Sequence, residues 1–262
     1  MARQTALITG ATGGIGYEIA KLFAADGIDL VLVARRKEEL EDVKLEFGRY
    51  PISINCFDMD LSIAGSSTRL YQHCLSVDIK IDYLVNNAGY GDYNKVVDAK
   101  PELYANMLQL NVLALTDLST LFVKDMVIRG SGKILNVGSL AGFQPGPMMA
   151  VYAASKSYVM HFTEALHAEL KGTGVTATVL SPGLTKTGFV TRAKMESAAF
   201  TSGYQLDAGQ VASCGYKAMF AGKLNVVPGL FNKILAFATG ITPSRTLLLA
   251  MSAYVMRKKN NR

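Results

Sequence analysis

Short apolar runs alternate with helix-period segments at steps of about 25 residues, and few folds accept that rhythm. The runs are Thr5-Ala-Leu-Ile-Thr9, Leu30-Val-Leu-Val-Ala34, 52–57, 81–85, 133–138, 175–180 and Leu224-Asn-Val-Val227. Segments with helical spacing lie between them, at 17–25, 37–48, 62–76 and 102–129, and again at 207–220. Strands that alternate with helices read as β-α-β units, whose crossovers lay helices on both faces of a parallel sheet. The pattern predicts an α/β fold: a doubly wound parallel sheet of about seven strands flanked by helices. Apolar residues make up 50% of the 262 and charged residues 18%, so a large buried core is expected rather than disorder. No repeat, linker or low-complexity segment divides the chain. One domain, 1–262, is expected, with a core at 4–228 and a helical C-terminal extension at 229–262.

Several function classes fall away. The net charge is +6, but Lys and Arg are scattered and the one dense basic cluster is Arg257-Lys-Lys-Asn-Asn-Arg262, which does not make a nucleic-acid surface. Cys56, Cys74 and Cys214 are odd in number and lack Cys-x-x-Cys spacing, so neither a disulfide framework nor a zinc site is expected. His161 and His167, six residues apart, do not share a helical face, and no metal site is expected. Met1-Ala-Arg-Gln-Thr5 enters the first strand without a charged-then-apolar leader, which points to the cytoplasm.

The first strand ends in Gly10-Ala-Thr-Gly-Gly-Ile-Gly16, followed by a helix. Strand, glycine turn and helix bring backbone N–H groups and a helix N-terminus to a pyrophosphate, as in a Rossmann-type dinucleotide fold. The spacing is Gly10-x3-Gly14-x-Gly16 rather than G-x-G-x-x-G. The second strand ends in Arg35-Arg36, nineteen residues after Gly16, where an NAD site wants a carboxylate for the ribose 2′-hydroxyl. An arginine there suits the 2′-phosphate of NADP(H), which is preferred over NAD(H).

Tyr152-Ala-Ala-Ser-Lys156 follows Ser139 by thirteen residues, and Ser139 leaves the strand 133–138. Tyr-x-x-x-Lys recurs at Tyr254 and Lys258, but position 241 is Ile and no serine precedes that copy. Four residues apart on a helix, Lys156 sits one turn from the Tyr152 phenol, where an ammonium is expected to lower the phenol pKa toward the working range. A serine hydroxyl at the same mouth could hold a substrate oxygen. Asn111, a polar amide within an apolar helix, reads equally as a bonded core residue or a site residue.

With Asn86-Asn-Ala-Gly89 and Pro182-Gly183 also in order, the chain resembles the short-chain dehydrogenase/reductase family over about 4–228. The family's Thr-Gly-x3-Gly-x-Gly falls on Thr9, Gly10, Gly14 and Gly16, with Thr12 and Ile15 in the same turn. The resemblance implies that Tyr152 is the general acid/base. It also implies that Lys156 binds the nicotinamide ribose, Ser139 polarises the substrate carbonyl and Asn111 holds a water in a proton relay. It further places Asp60 and Leu61 beside the adenine (Asp58 in an alternative register). Asn87, Ala88 and Gly89 would line the adenosine side, Pro182, Gly183, Thr185 and Thr187 the carboxamide. Arg35 and Arg36 match the NADP-type members. The expected activity is NADP(H)-dependent interconversion of a ketone or aldehyde and an alcohol by a homodimer or homotetramer. The alternative is a nonenzymatic NADP-binding regulatory module, because fold alone does not prove activity.

Phe143, Met148, Met149, Phe189 and Tyr204 are expected to flank the cleft and suit an apolar substrate, such as a 3-oxoacyl chain, a steroid-like ketone or an aromatic ketone. The stretch 188–206 is small and polar and reads as a mobile lid. Beyond residue 228, two short apolar helices are expected, the second capped by Thr242 with Pro243 at its first position. Their roles rank as packing over the pocket, then an oligomer interface, then shallow membrane contact.

Overall fold

The structure is a computed structural model and describes residues 3–257. β1 (Thr5–Thr9), α1 (Gly14–Ala25), β2 (Asp29–Ala34), α2 (Lys37–Phe47), β3 (Ile54–Asp58) and α3 (Ser66–Ser76) form the first half. β4 (Tyr83–Asn86), α4 (Pro101–Leu108), α5 (Leu115–Arg129), β5 (Gly132–Val137), α6 (Ala150–Glu169) and β6 (Val175–Leu180) continue the alternation. There follow β7 (Thr185–Lys186), α7 (Phe189–Arg192), β8 (Leu206–Asp207), α8 (Ala208–Phe220), β9 (Asn225–Val226), α9 (Leu230–Ile241) and α10 (Arg245–Val255).

The main sheet has seven parallel strands in the order β3-β2-β1-β4-β5-β6-β9. Successive side chains on a strand point to opposite faces. Accordingly, Ile8, Leu30 and Leu32 join Ile19, Phe23 and Val211 under α1 and α8, while Leu7, Val31 and Val33 join Leu70, Phe122 and Met126 under α3 and α5. Both faces of β1 and β2 are covered, which is why their central residues, Ala6 to Ile8 and Leu30 to Val33, are apolar without alternation. The strand order reverses between β1 and β4, and ligands of such sheets sit outside the carboxyl ends of the strands at that reversal.

Four local expectations are corrected. The strands expected at 52–57 and 81–85 begin two residues later, at Ile54 and Tyr83. The helix expected over 102–129 is interrupted by a π-helical turn, Gln109–Ala114, which carries Asn111. The 188–206 stretch holds α7 and a 3₁₀ turn, closed off by pairing of β7 with β8. Ala193, Met195 and Ala198 are buried there around Tyr93, whose N–H donates to Ala193 O at 3.0 Å. Thr242 ends α9, donating to Ala238 O at 2.7 Å, and Ser244 caps α10 by accepting from Leu247 N at 3.3 Å. Pro243 therefore precedes the cap. A serine one step further on supplies the acceptor that the helix start needs.

Candidate active site

A cleft of about 940 Å³ opens at the carboxyl ends of the strands. Its wall includes Gly10, Thr12, Gly14 and Ile15 of the glycine turn, Arg35 and Arg36 after β2, and Asp60 and Leu61 after β3. Asn87, Ala88 and Gly89 after β4 line it too, as do Ser139, Tyr152 and Lys156, and Pro182, Gly183, Thr185 and Thr187 after β6. Two expected site residues, Gly16 and Asn111, lie behind the wall.

Gly16 acts through packing. A Cβ there would run into Asn87 Nδ2 and Gly10 O. Gly10 has φ +67°, and a Cβ on it would meet Asn87 Nδ2 at 2.9 Å. That close approach lets Asn87 Nδ2 donate to Thr9 O at 2.9 Å and Gly10 O at 3.1 Å, while Thr9 Oγ1 accepts from the N–H groups of Asn87 and Ala88, each at 3.0 Å. The Asn87 amide thus ties the glycine turn to the end of β4. Gly13 is the N-cap of α1 and no side chain caps it, so the orphan N–H groups of the first turn open on the cleft. A Cβ on Gly13 would meet nothing within 4 Å. A bare helix N-terminus with room beside it fits a pyrophosphate.

Asn111 is buried and fully engaged. Its Nδ2 donates to Tyr90 O at 2.9 Å and Ser155 Oγ at 3.2 Å, and its Oδ1 accepts from Tyr90 N at 3.1 Å. The π turn brings the amide against the loop after Gly89, where a Cβ on Gly89 would stand 3.0 Å from Asn111 Oδ1 and 3.5 Å from Lys156 Nζ.

Ser139, Tyr152 and Lys156 converge at one end of the cleft. Ser139 Oγ accepts from Ala141 N at 3.1 Å, which orients the hydroxyl and leaves its proton to donate. Burial pushes the Tyr152 phenol up to about 12, with the facing Ser139 hydroxyl pulling the other way. Burial pushes the Lys156 ammonium down to about 8. Lys156 Nζ donates to Val137 O at 2.7 Å and lies 5.8 Å from the centroid of the Tyr152 ring. The expected lowering of the phenol by the ammonium is therefore overturned in the chain alone. Desolvation dominates, and the phenol stays protonated at neutral pH.

At the other end, Arg36 pairs with Glu39 at 2.5 Å along α2, whereas Arg35 Nη1 stands 4.0 Å from Asp60 Oδ2 and is largely exposed. Arg35 is the less committed cation of the two.

A family model described as short chain dehydrogenase matches residues 4–197. The chain belongs to the short-chain dehydrogenase family. A very-long-chain 3-oxoacyl-CoA reductase from Anas platyrhynchos is 32% identical over 184 residues, 68% of this chain and 58% of its own length, so the chain spans less than two thirds of that relative. Among solved structures, a short-chain dehydrogenase from Sphingobium yanoikuyae in complex with NADPH superposes with a TM-score of 0.81 at 28% identity, covering 91% of this chain and 94% of its own. A bulky-bulky ketone specific alcohol dehydrogenase from Comamonas testosteroni does so with a TM-score of 0.78 at 26% identity, covering 92% and 94%.

Of the five apolar residues expected to flank the cleft of this family member, Met149, Phe189 and Tyr204 line it and Phe143 and Met148 do not. Phe143 packs instead with Leu115, Val159, Met160 and Val179 under α6, and Met148 adopts φ +69° in the turn before it. The Phe189 ring stands 5.3 Å from that of Tyr152 and covers the phenol. Sequence reasoning missed Phe200, Phe231, Leu235, Val255 and Met256, which line the same end. The last four belong to the C-terminal extension, so its first-ranked role, packing over the pocket, is what the structure shows. Tyr93 Oη holds it in place by donating to Met256 O at 2.5 Å. No signal local to residues 229–256 tells which apolar side chains turn toward a cleft formed by residues far away in sequence.

Proposed function

We propose that the chain is an NADP(H)-dependent oxidoreductase, a single dinucleotide-binding and catalytic domain that interconverts a ketone or aldehyde and an alcohol, with Tyr152 as general acid/base. The observation that carries this reading is the convergence of a protonated phenol, a serine hydroxyl facing it and a buried ammonium at the apolar end of a dinucleotide-sized cleft. The cofactor, when bound, supplies or accepts the hydride. The chain's own groups hold, orient and protonate. The first-turn N–H groups of α1 take the pyrophosphate, and Arg35, with Arg36 beside it, takes the 2′-phosphate. Lys156 has one donor on Val137 O and offers the others to the nicotinamide ribose. Ser139 donates to the carbonyl oxygen, a contribution of ~3 kcal/mol if it strengthens as charge develops there. Tyr152 then gives its proton to that oxygen. A phenol held at about 12 is a weaker acid than a free one, yet it is far more acidic than the alcohol it creates, so the site suits reduction. Asn111 serves by fixing the Tyr90 backbone and Ser155 behind the site, which leaves any water relay to its main chain.

Apolar walls from Met149, Phe189, Phe200, Phe231 and Leu235 favour a carbonyl substrate with an apolar arm. The long-chain 3-oxoacyl and bulky-ketone substrates named for two relatives are of that kind. Exposed Leu113, Ile128 and Tyr158 beside and along α5 and α6 provide a surface for a homodimer or homotetramer. The test is NADPH consumption against ketones, aldehydes and 3-oxoacyl thioesters, with NADH in parallel. Turnover on one apolar carbonyl class with NADPH supports the reading. Tight NADPH binding with silence across the panel supports the nonenzymatic module instead.

A further inference from the structure

An amphipathic helix of a globular domain turns its apolar stripe toward the core. α9 does the reverse. Leu230, Ile234, Phe237 and Ile241 follow one another at helical spacing, and all are 57–73% exposed, while Asn232 is the one residue of the helix that is buried. α10 repeats the arrangement: Leu248 and Ser252 touch the fold along a narrow line, and Leu247, Met251 and Tyr254 form an uncovered stripe. Uncovered apolar stripes on two consecutive helices are surface of the kind that marks an interaction site.

The charge around the patch selects its partner. Asp207 is the last acidic residue of the chain, and residues 208–262 carry eight Lys and Arg side chains with no Asp or Glu. Residues 1–207 carry 19 basic and 21 acidic side chains, so the whole positive excess of the chain resides in its last 55 residues. Lys233, three residues after Leu230 and four before Phe237, borders the α9 stripe, and the Arg257 guanidinium lies 3.6 Å from the centroid of the exposed Tyr254 ring. Lys258, Lys259 and Arg262 add to this charge and lie outside the described residues. A twofold pair of chains joined through this surface would set two acid-free, cationic segments against each other. An anionic bilayer accepts both the apolar stripes and the charge. Among the described residues no helix is long and apolar enough to cross a membrane, and α9, at 12 residues, reaches ~18 Å against a hydrocarbon core of ~30 Å.

We infer that α9 and α10 form a monotopic docking surface by which the chain lies on an anionic phospholipid membrane, with the apolar stripes in the headgroup boundary and the basic side chains on lipid phosphates. Docking does not depend on the reaction proposed above. If that reading holds, the cleft walled by Phe231 and Leu235 of α9 opens beside the lipid from which an apolar substrate would partition.

The experiment is flotation of the full chain with vesicles of equimolar phosphatidylcholine and phosphatidylglycerol, against vesicles of phosphatidylcholine alone. Binding is expected to be at least about tenfold tighter on the anionic vesicles and to weaken as salt is raised. Lys233→Ser and Arg257→Ser should each lose about fivefold. The double variant Phe237→Ser/Ile241→Ser should lose more than about tenfold, with an unchanged thermal melt and NADPH titration showing that the fold and the cleft are intact. Equal binding to both vesicle types, or none to either, overturns the inference. So does a wild type that sediments as an oligomer and a Phe237→Ser/Ile241→Ser variant that sediments as a monomer, since the stripes would then be covered by a second copy.

Discussion

Lys156 is the most exposed point of the account to experiment, because its burial leaves a signature in stability. The unfolded chain holds the lysine proton up to an ordinary 10.5, whereas the folded chain releases it near 8. Between those values the unfolded state binds more protons, so stability rises with pH, reaching its full value above the unfolded pKa and being lost as pH falls through the folded one. The difference is worth ~3 kcal/mol in full, and ~2.5 kcal/mol of it is realised between about pH 7 and about pH 10. Lys156→Met keeps the length of the side chain and removes the titration. Losing the bond to Val137 O costs the variant an amount that does not vary with pH, so the slope carries the test. Urea unfolding of both proteins across that range should show wild type gaining ~2.5 kcal/mol on the variant as pH rises. A difference that stays flat, or shrinks, would refute the buried-ammonium geometry and with it the role proposed for Lys156 at the nicotinamide ribose.

Arg35→Asp should weaken NADPH binding by more than about tenfold relative to NADH, read by fluorescence titration; equal losses for both would sink the phosphate-clamp argument. Gly16→Ala forces its methyl into Asn87 Nδ2 and Gly10 O, so it should unseat the glycine turn, cost on the order of 2 kcal/mol and abolish cofactor binding; normal binding would contradict the packing described. Ser244→Ala removes the cap of α10 and should raise hydrogen exchange in that helix by the equivalent of ~1 kcal/mol, leaving exchange in β1 and β4 unchanged; unaltered exchange would mean the Ser244 cap contributes nothing.

The sheet was legible because each strand repeats one rule. Leu7 and Ile8, or Val31 and Leu32, go to opposite faces, and crossover helices make both faces apolar. The residues of the cleft were legible because each follows a strand end, where a parallel sheet presents its ligands: Gly10 after β1, Arg35 after β2, Asn87 after β4, Ser139 after β5 and Pro182 after β6. Electrostatics was not legible. The four-residue spacing of Tyr152 and Lys156 put the ammonium near the ring, but it could not say that the ammonium would bond Val137 O or that burial would govern the phenol. Nor could it separate the roles of an amide: Asn87 is spent on backbone groups, and Asn111 on the Tyr90 backbone and the Ser155 hydroxyl. Phe143 was misplaced because nearness in sequence to the cleft loop says nothing of direction, and its ring turned under α6. The C-terminal helices posed the same difficulty in its strongest form. A stripe such as Leu230, Ile234, Phe237 and Ile241 has the same periodicity whether it faces a core or solvent, and only the packed structure shows which.

The central claim, that the Tyr152 phenol delivers the proton, is tested most directly by single-turnover reduction of a carbonyl substrate by NADPH with wild type and Tyr152→Phe side by side. The variant keeps the ring that packs against Phe189 and removes only the hydroxyl. The account predicts unchanged NADPH affinity with a chemical step slower by about a hundredfold or more. A variant that reduces the substrate at the wild-type rate would contradict it.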